Sequence, residues 1–374
     1  MHNSPEFAEA LGIYIHIPFC AKRCSYCNFY SACAEQNTID KYLDALISEI
    51  KNWGGKICRP VASLYIGGGT PSVLKDKISL VLDAARQNFN LLPDAEITVE
   101  INPEENPDAF LNAAKSSGAN RLSIGMQSAN EDELLLLGRR HTNAEVKSAV
   151  KKAKAMGFNN ISVDIMTGLP QSNDEKLRKT LEFAVSLDIE HISAYILKLE
   201  PKTRLYSKNL PLIDADTTAG QYLLVCDFLK NHGFNHYEIS NFAKENFEGR
   251  HNLKYWRCEE YIGIGPSAHS FFEGKRFYYE NDLKGFLSHP ETIEDGEGGG
   301  IDEFVMLSLR IKSGLSFDKL KSLYNTEPKN EVYKFIKMLC LENLATFENN
   351  TLSLTDEGML VSNTIITEIL ERMV

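Results

Sequence analysis

Tyr14-Ile-His16-Ile-Pro-Phe-Cys20-Ala-Lys-Arg-Cys24-Ser-Tyr26-Cys27 joins a β-branched apolar run to three cysteines at spacings of four and three. Short side chains at those spacings converge on one small object only if their loop wraps tightly around it. Thiolates are strong ligands for iron and zinc, and metal binding deprotonates a thiol that otherwise keeps its proton to about pH 8.5. Three ligands are one short of a closed tetrahedral site. An iron–sulfur cluster held this way leaves one iron free for a small molecule. A zinc knuckle completed by His16, or three buried thiols with no ligand, are the alternatives, although no second ligand pair follows at short separation.

Outward from this stretch, short apolar runs at 11–17, 61–66, 97–101, 121–124, 160–165 and 191–196 alternate with longer periodic segments. Their length and β-branched content predict buried strands. Between the first two, Ile39, Tyr42, Leu43, Leu46, Ile47, Ile50 and Trp53 recur at helical spacing and form one apolar stripe. Repeated strand–helix units predict a parallel sheet with right-handed crossovers. The expected class is therefore α/β, an incomplete (β/α)6 barrel with its chemistry at the C-terminal strand ends. The polar residues fall there: Gly67-Gly-Gly-Thr70-Pro71 after the second run, Glu100 in the third, Gln127 after the fourth and Asp164 in the fifth. A tight turn would also explain the glycines, and a structural salt bridge or hydrogen bond would explain each carboxylate.

Cys20, Cys24 and Cys27, with Tyr26 before the last, resemble the cluster motif of radical S-adenosylmethionine (SAM) proteins. The string from Tyr14 to Cys20 resembles the branch that contains oxygen-independent coproporphyrinogen III oxidase and a related group of haem chaperones. The resemblance implies a 4Fe-4S cluster on the three cysteines, its open iron chelated by the amino and carboxylate groups of SAM. It places Gly68, Gly69 and Thr70 around the methionine end of SAM, and Glu100, Gln127, Arg139 and Asp164 around its ribose and carboxylate, with Tyr14 and Tyr26 also in the SAM set. Arg140 competes with Arg139 for its role. A reduced cluster, fed by a donor such as flavodoxin or ferredoxin, would cleave the sulfonium and give a 5′-deoxyadenosyl radical.

The strand–helix pattern ends near residue 200, so 1–200 is expected to form the cluster-bearing partial barrel. Residues 201–290 would extend it, with a helix around 222–229 and a strand at 235–239. The acidic, glycine-rich 291–300 reads as a linker. Residues 301–374, with three helical segments, a short hairpin and a final helix, read as an α+β winged-helix-like domain serving as a lid or docking surface. Within the extension, His251-Asn252-Leu-Lys-Tyr255-Trp256 matches the HNxxYW signature of the haem chaperones. Imidazole is a standard axial ligand and the aromatic rings can stack on a porphyrin, whereas simple packing of a histidine and two aromatics is the alternative. The oxidases carry a fourth cysteine two residues after the third, and Phe29 stands there. The resemblance thus points to a haem chaperone that holds a 4Fe-4S cluster, SAM and haem and passes haem to an acceptor protein. Decarboxylation of coproporphyrinogen III propionates is the alternative, which leaves enzymatic activity open.

Composition narrows the field. The 374-residue chain is 43% hydrophobic and 24% charged, with 51 acidic and 40 basic residues and a formal charge of −11. That balance argues against a nucleic-acid partner. No stretch approaches the roughly 18 apolar residues that span a bilayer, so any membrane contact would be peripheral. The first residues lack the basic and apolar regions of a signal peptide, and a reducing compartment suits eight cysteines of which three serve a cluster. A cytoplasmic location is expected. Cys33, Cys58, Cys226, Cys258 and Cys340 are scattered and read as ordinary core or surface residues.

Overall fold

The computed structural model of the chain describes residues 10–103 and 107–373; residues 1–9, on which the signal-peptide reading rests, lie outside the described residues. Six strands follow the expected order: β1 (Leu11–Ile17), β2 (Pro60–Gly68), β3 (Asn90–Ile101), β4 (Arg121–Gln127), β5 (Ile161–Thr167) and β6 (His191–Ile196). Each pairs in parallel with the next. The connecting helices are α1 (Gln36–Gly54), α2 (Ile78–Asn88), α3 (Asp108–Ser116), α4 (Glu131–Leu137), α5 (Asn143–Ala155) and α6 (Asp174–Ser186).

The strands are not uniformly apolar; they alternate, and the alternation builds the site. On β4, Leu122, Ile124 and Met126 are fully buried on the outer, helix-covered face. Arg121, Ser123, Gly125 and Gln127 face the barrel interior. Ile97, Val99 and Ile101 on β3 and Ile161, Val163 and Ile165 on β5 repeat the outer pattern. The helices meet it with matching stripes: α1 buries Ile39, Tyr42, Leu43, Leu46, Ile50 and Trp53, as its spacing predicts. Each such side chain stabilises the fold by about 1.5–3 kcal/mol, which makes the outer face the source of stability and leaves the inner face polar.

Residues 201–290 enlarge this sheet at both edges. After α7 (Ala215–Asn231), β7 (Asn235–Glu238) and β8 (Asn241–Ala243) add antiparallel strands beside β6. The chain then crosses the barrel as α8 (Arg250–Trp256) and returns beside β1 as the parallel β9 (Tyr261–Ile264). A meander of β10 (His269–Phe272) and β11 (Lys275–Tyr279) follows. With β12 (Thr292–Glu297) at one edge, the described residues form an open 12-stranded sheet in the order β12-β11-β10-β9-β1-β2-β3-β4-β5-β6-β8-β7.

Its last strand corrects the linker expectation. Residues Thr292–Glu297 form β12, antiparallel to β11. The strand was hidden because every one of its residues is exposed. With solvent on both faces there is no alternation to read, and acidic residues on such an edge oppose further pairing. After α9 (Leu283–Ser288), which precedes β12, the chain continues into α10 (Ile301–Ser308), β13 (Leu315–Ser316), α11 (Phe317–Tyr324), α12 (Asn330–Leu341), the hairpin β14 (Ala345–Glu348) and β15 (Thr351–Leu354), α13 (Asp356–Leu360) and α14 (Ser362–Met373). Helices with a small β13-β15-β14 sheet give the winged-helix-like arrangement. The module docks on the β7 edge through a Glu238–Ile311 bridge and a hydrogen bond between His236 Nδ1 and Asp356 Oδ1 at 2.8 Å. Glu303 of α10 also pairs with Arg276 on β11, so the module's contacts reach both ends of the sheet.

Candidate cluster and cofactor site

The cysteine loop is closed at its base and anchored at its tip. Phe19 bridges Ala32, with Cys20 N donating to Ala32 O at 3.1 Å and Ala32 N to Pro18 O at 2.9 Å. At the tip, Ser25 N donates to Leu137 O and Leu205 N to Ser25 O, each at 2.8 Å. Cys20, Cys24 and Cys27 are thereby turned, half-buried, into one cavity of about 540 Å³. Burial pushes the Cys27 thiol up to about 11, with Cys24 and Cys20 adding to the shift, and raises Cys20 in the same direction. Crowded thiols in a low dielectric ionise when a cation compensates them, so the donor set fits a metal cluster. His16 does not complete a zinc site. It is buried, and its two ring nitrogens meet Tyr14 Oη and Tyr30 O, each at 2.9 Å.

The glycine-rich turn locks onto this loop. Gly69 N donates to Ile17 O at 2.8 Å and Thr70 N to Phe19 O at 2.7 Å. A Cβ on Gly69 would lie 2.5 Å from Phe19 O, so only glycine permits the approach. Gly68 has φ +113°, with His16 where a side chain would go. These glycines first satisfy close backbone packing; the same packing leaves their bare backbone on the cavity wall.

Facing the turn are the polar inner positions. Glu100 accepts from Tyr65 Oη at 2.7 Å, and burial lifts its carboxyl to about 7. Asp164 accepts from Ser123 Oγ at 3.1 Å and from Ser193, and burial raises it as well. Arg139, buried, donates to Asn102 Oδ1 at 2.7 Å and to Gly125 O, with Nη1 3.4 Å from Cys24 Sγ. Arg140 is exposed, whereas Arg139 lies on the cavity wall. Gln127 has a left-handed φ of 68° where β4 slips register against β5, placing it on the cavity wall. A guanidinium, two carboxyls and several hydroxyls beside the thiols fit SAM, an amphoteric ligand with a carboxylate, an ammonium and ribose hydroxyls. Tyr26 lines this cavity and Tyr14 does not. Tyr65, Asn102, Arg121, Ser123 and Ser193 are wall residues that sequence reading missed. Counting back in twos from Gln127 would have found Ser123 and Arg121.

The HNLKYW segment is α8, and it plugs the opposite, N-terminal end of the barrel. Glu96 on β3 accepts from the backbone N–H groups of Arg250 and His251, both at 3.0 Å, a carboxylate at a helix N-terminus. His251 is buried, with Nδ1 2.8 Å from Ser63 Oγ and Nε2 2.7 Å from Tyr255 Oη. Burial, with help from Lys254 and Arg121, depresses its pKa to about 3. Lys254 donates to Ala10 O at 2.6 Å and pairs with Glu259 at 2.9 Å. Trp256 donates to the Glu238 carboxylate. His251 and Trp256 thus serve the barrel floor. Asn252 reaches the cluster cavity, and Tyr255 lines a second cavity of about 710 Å³ with Tyr14 and His16. Asn28 and Phe29 belong to the walls of both cavities.

The chain is similar to known proteins along most of its length. A radical SAM superfamily sequence model matches residues 14–184. The haem chaperone HemW of Bacillus subtilis is 34% identical over 367 residues, 94% of this chain and 97% of that one. The haem chaperone HemW of Lactococcus lactis is 32% identical, with 96% of each chain covered. Coproporphyrinogen III oxidase from Escherichia coli, a radical SAM enzyme, shares the fold with a TM-score of 0.83 at 23% identity, over 96% of this chain and 90% of that one.

Proposed function

The chain belongs to the haem chaperone HemW family of radical SAM proteins, and on that premise we propose that it retains a 4Fe-4S cluster and SAM in the first cavity while it binds haem in the second and passes it to an acceptor protein. One observation carries the reading: the two cavities share a wall at Asn28 and Phe29, so a ligand in the second would lie against the cluster loop. Phe29, where the oxidases have a cysteine, is 68% exposed there, an apolar face offered to a flat apolar ligand.

Cys20, Cys24 and Cys27 would hold the cluster, and Arg139, Glu100, Asp164 and Gln127 would orient SAM with Gly68, Gly69, Thr70 and Tyr26. When bound, the cluster supplies one electron to the SAM sulfonium, received from a donor such as flavodoxin or ferredoxin. The chain's own contribution would be to hold SAM against the cluster-bearing loop and exclude water. No helix among the described residues is long and apolar enough to cross a membrane, which is consistent with a cytoplasmic protein or one touching a membrane peripherally.

Haemin titrated into anaerobically reconstituted full-length protein should bind near one equivalent, and the same sample given reductant, SAM and coproporphyrinogen III should form no vinyl product. Absence of haemin binding would remove the chaperone reading. Vinyl product would install the oxidase reading, which the shared fold allows.

A further inference from the structure

We propose that His269, not His251, is the haem iron ligand, and that the second cavity is the haem site. The inference deepens the haem-binding reading above and rests on it. Three histidines stand at or near this cavity. His16 and His251 are buried with both ring nitrogens hydrogen-bonded to protein groups. His269, the first residue of β10, is exposed on the cavity wall. Neither of its ring nitrogens has a hydrogen-bond partner among the described residues. Its ring is held by stacking on Tyr278 across the β10–β11 pair, centroids 5.1 Å apart and planes 23° off parallel. An imidazole fixed in orientation with both nitrogens free is poised to bind a metal.

The rest of the wall matches a porphyrin. Exposed Phe29 and the edge-on pair Tyr255 and Tyr261, 4.4 Å between centroids, supply aromatic surface. Arg23 and Lys202 supply positive charge. No aspartate or glutamate lines the cavity among the described residues, although the chain carries a formal charge of −11. Such a site selects a flat, aromatic, anionic ligand with a Lewis-acidic centre, which describes haem with its two propionates. The volume, about 710 Å³, lies within the roughly 300–1,000 Å³ of small-molecule sites. The HNLKYW helix then contributes Tyr255 to the haem wall, while its histidine holds Tyr255 in place from behind.

The experiment is haemin titration of reconstituted full-length wild type, His269→Ala and His269→Gly, read by the Soret band and dissociation constant, with metal-free protoporphyrin IX as a second probe. His269→Ala should weaken haemin binding about tenfold or more, equivalent to about 1.4 kcal/mol, and shift the Soret band. Added imidazole should restore the band in His269→Gly. Protoporphyrin IX should bind wild type and His269→Ala alike, since the aromatic and cationic wall is intact. Cluster iron content should be unchanged in both variants. If wild type binds haemin and His269→Ala keeps its affinity and Soret band, the ligand assignment falls while the chaperone reading stands. If wild type binds no haemin, both fall.

Discussion

The cysteine loop and the HNLKYW helix are motifs of similar length, yet the fold treats them in opposite ways. The loop's chemistry-bearing side chains converge: all three thiols face one cavity at the C-terminal mouth of the barrel. The helix's diverge, with His251 and Trp256 bound into the barrel floor, Asn252 reaching the first cavity and Tyr255 the second. A motif fixes residue types at set spacings, and its surroundings decide whether those residues meet a ligand or one another. A loop turned back on itself has few packing obligations for its side chains. A short helix inside a barrel must satisfy every polar group it buries, and His251 meets that obligation with Ser63 and Tyr255.

The contrast can be broken most decisively at the loop. Cys24→Ala should abolish retention of the cluster, read as iron and acid-labile sulfide after anaerobic loading, while leaving the stability of the cluster-free chain nearly unchanged. His251→Ala should do the reverse. It strands Ser63 and Tyr255 hydroxyls and opens a void, costing about 2–4 kcal/mol, measurable by urea denaturation, with cluster content retained in the folded fraction.

Glu100 offers a test by pH. Its folded carboxyl sits at about 7 against an ordinary 4.5, so the folded chain binds more protons than the unfolded one between those values. Cofactor-free stability should therefore fall as pH rises from about 4.5 to 7 and level off above. Glu100→Gln should remove on the order of 3 kcal/mol of that fall, followed by denaturation at a series of pH values. Glu238, held at about 7 by its own burial, keeps a residual slope.

Smaller effects sharpen the picture of the first cavity and of the sheet edge. Arg139→Lys loses the planar fork whose Nη2 reaches Asn102 and Gly125 O while Nη1 reaches Cys24 Sγ, and should weaken SAM binding about tenfold, or about 1.4 kcal/mol, by calorimetry on reconstituted protein. Ile293→Thr on the exposed strand β12 should change stability by no more than about 0.5 kcal/mol; a larger loss would mean that this edge is covered in solution.

Much of the cluster site was legible in advance because its information is local. Cys20, Cys24 and Cys27 are placed by chain spacing, and the strands by outer-face residues such as Ile97, Val99 and Ile101. The inner face was harder to read, since Ser123 and Ser193 lie inside runs read as apolar strands until side-chain alternation assigns them to the interior. Tyr14 belongs to the SAM set by resemblance, and its hydroxyl meets His16 in the wall of the other cavity. β12 left no trace because a strand exposed on both faces has no hydrophobic period.

By itself, then, the sequence determined the open parallel barrel, the trio of thiols at its mouth and the polar residues at its strand ends, because period, spacing and residue type act over a few neighbours. Only the tertiary structure decided which histidine is spent on hydrogen bonds and which is exposed, and that 292–297 is an edge rather than a tether. Burial and pairing depend on segments far apart in the chain: Ser63 lies 188 residues from His251, and no local pattern records that they meet.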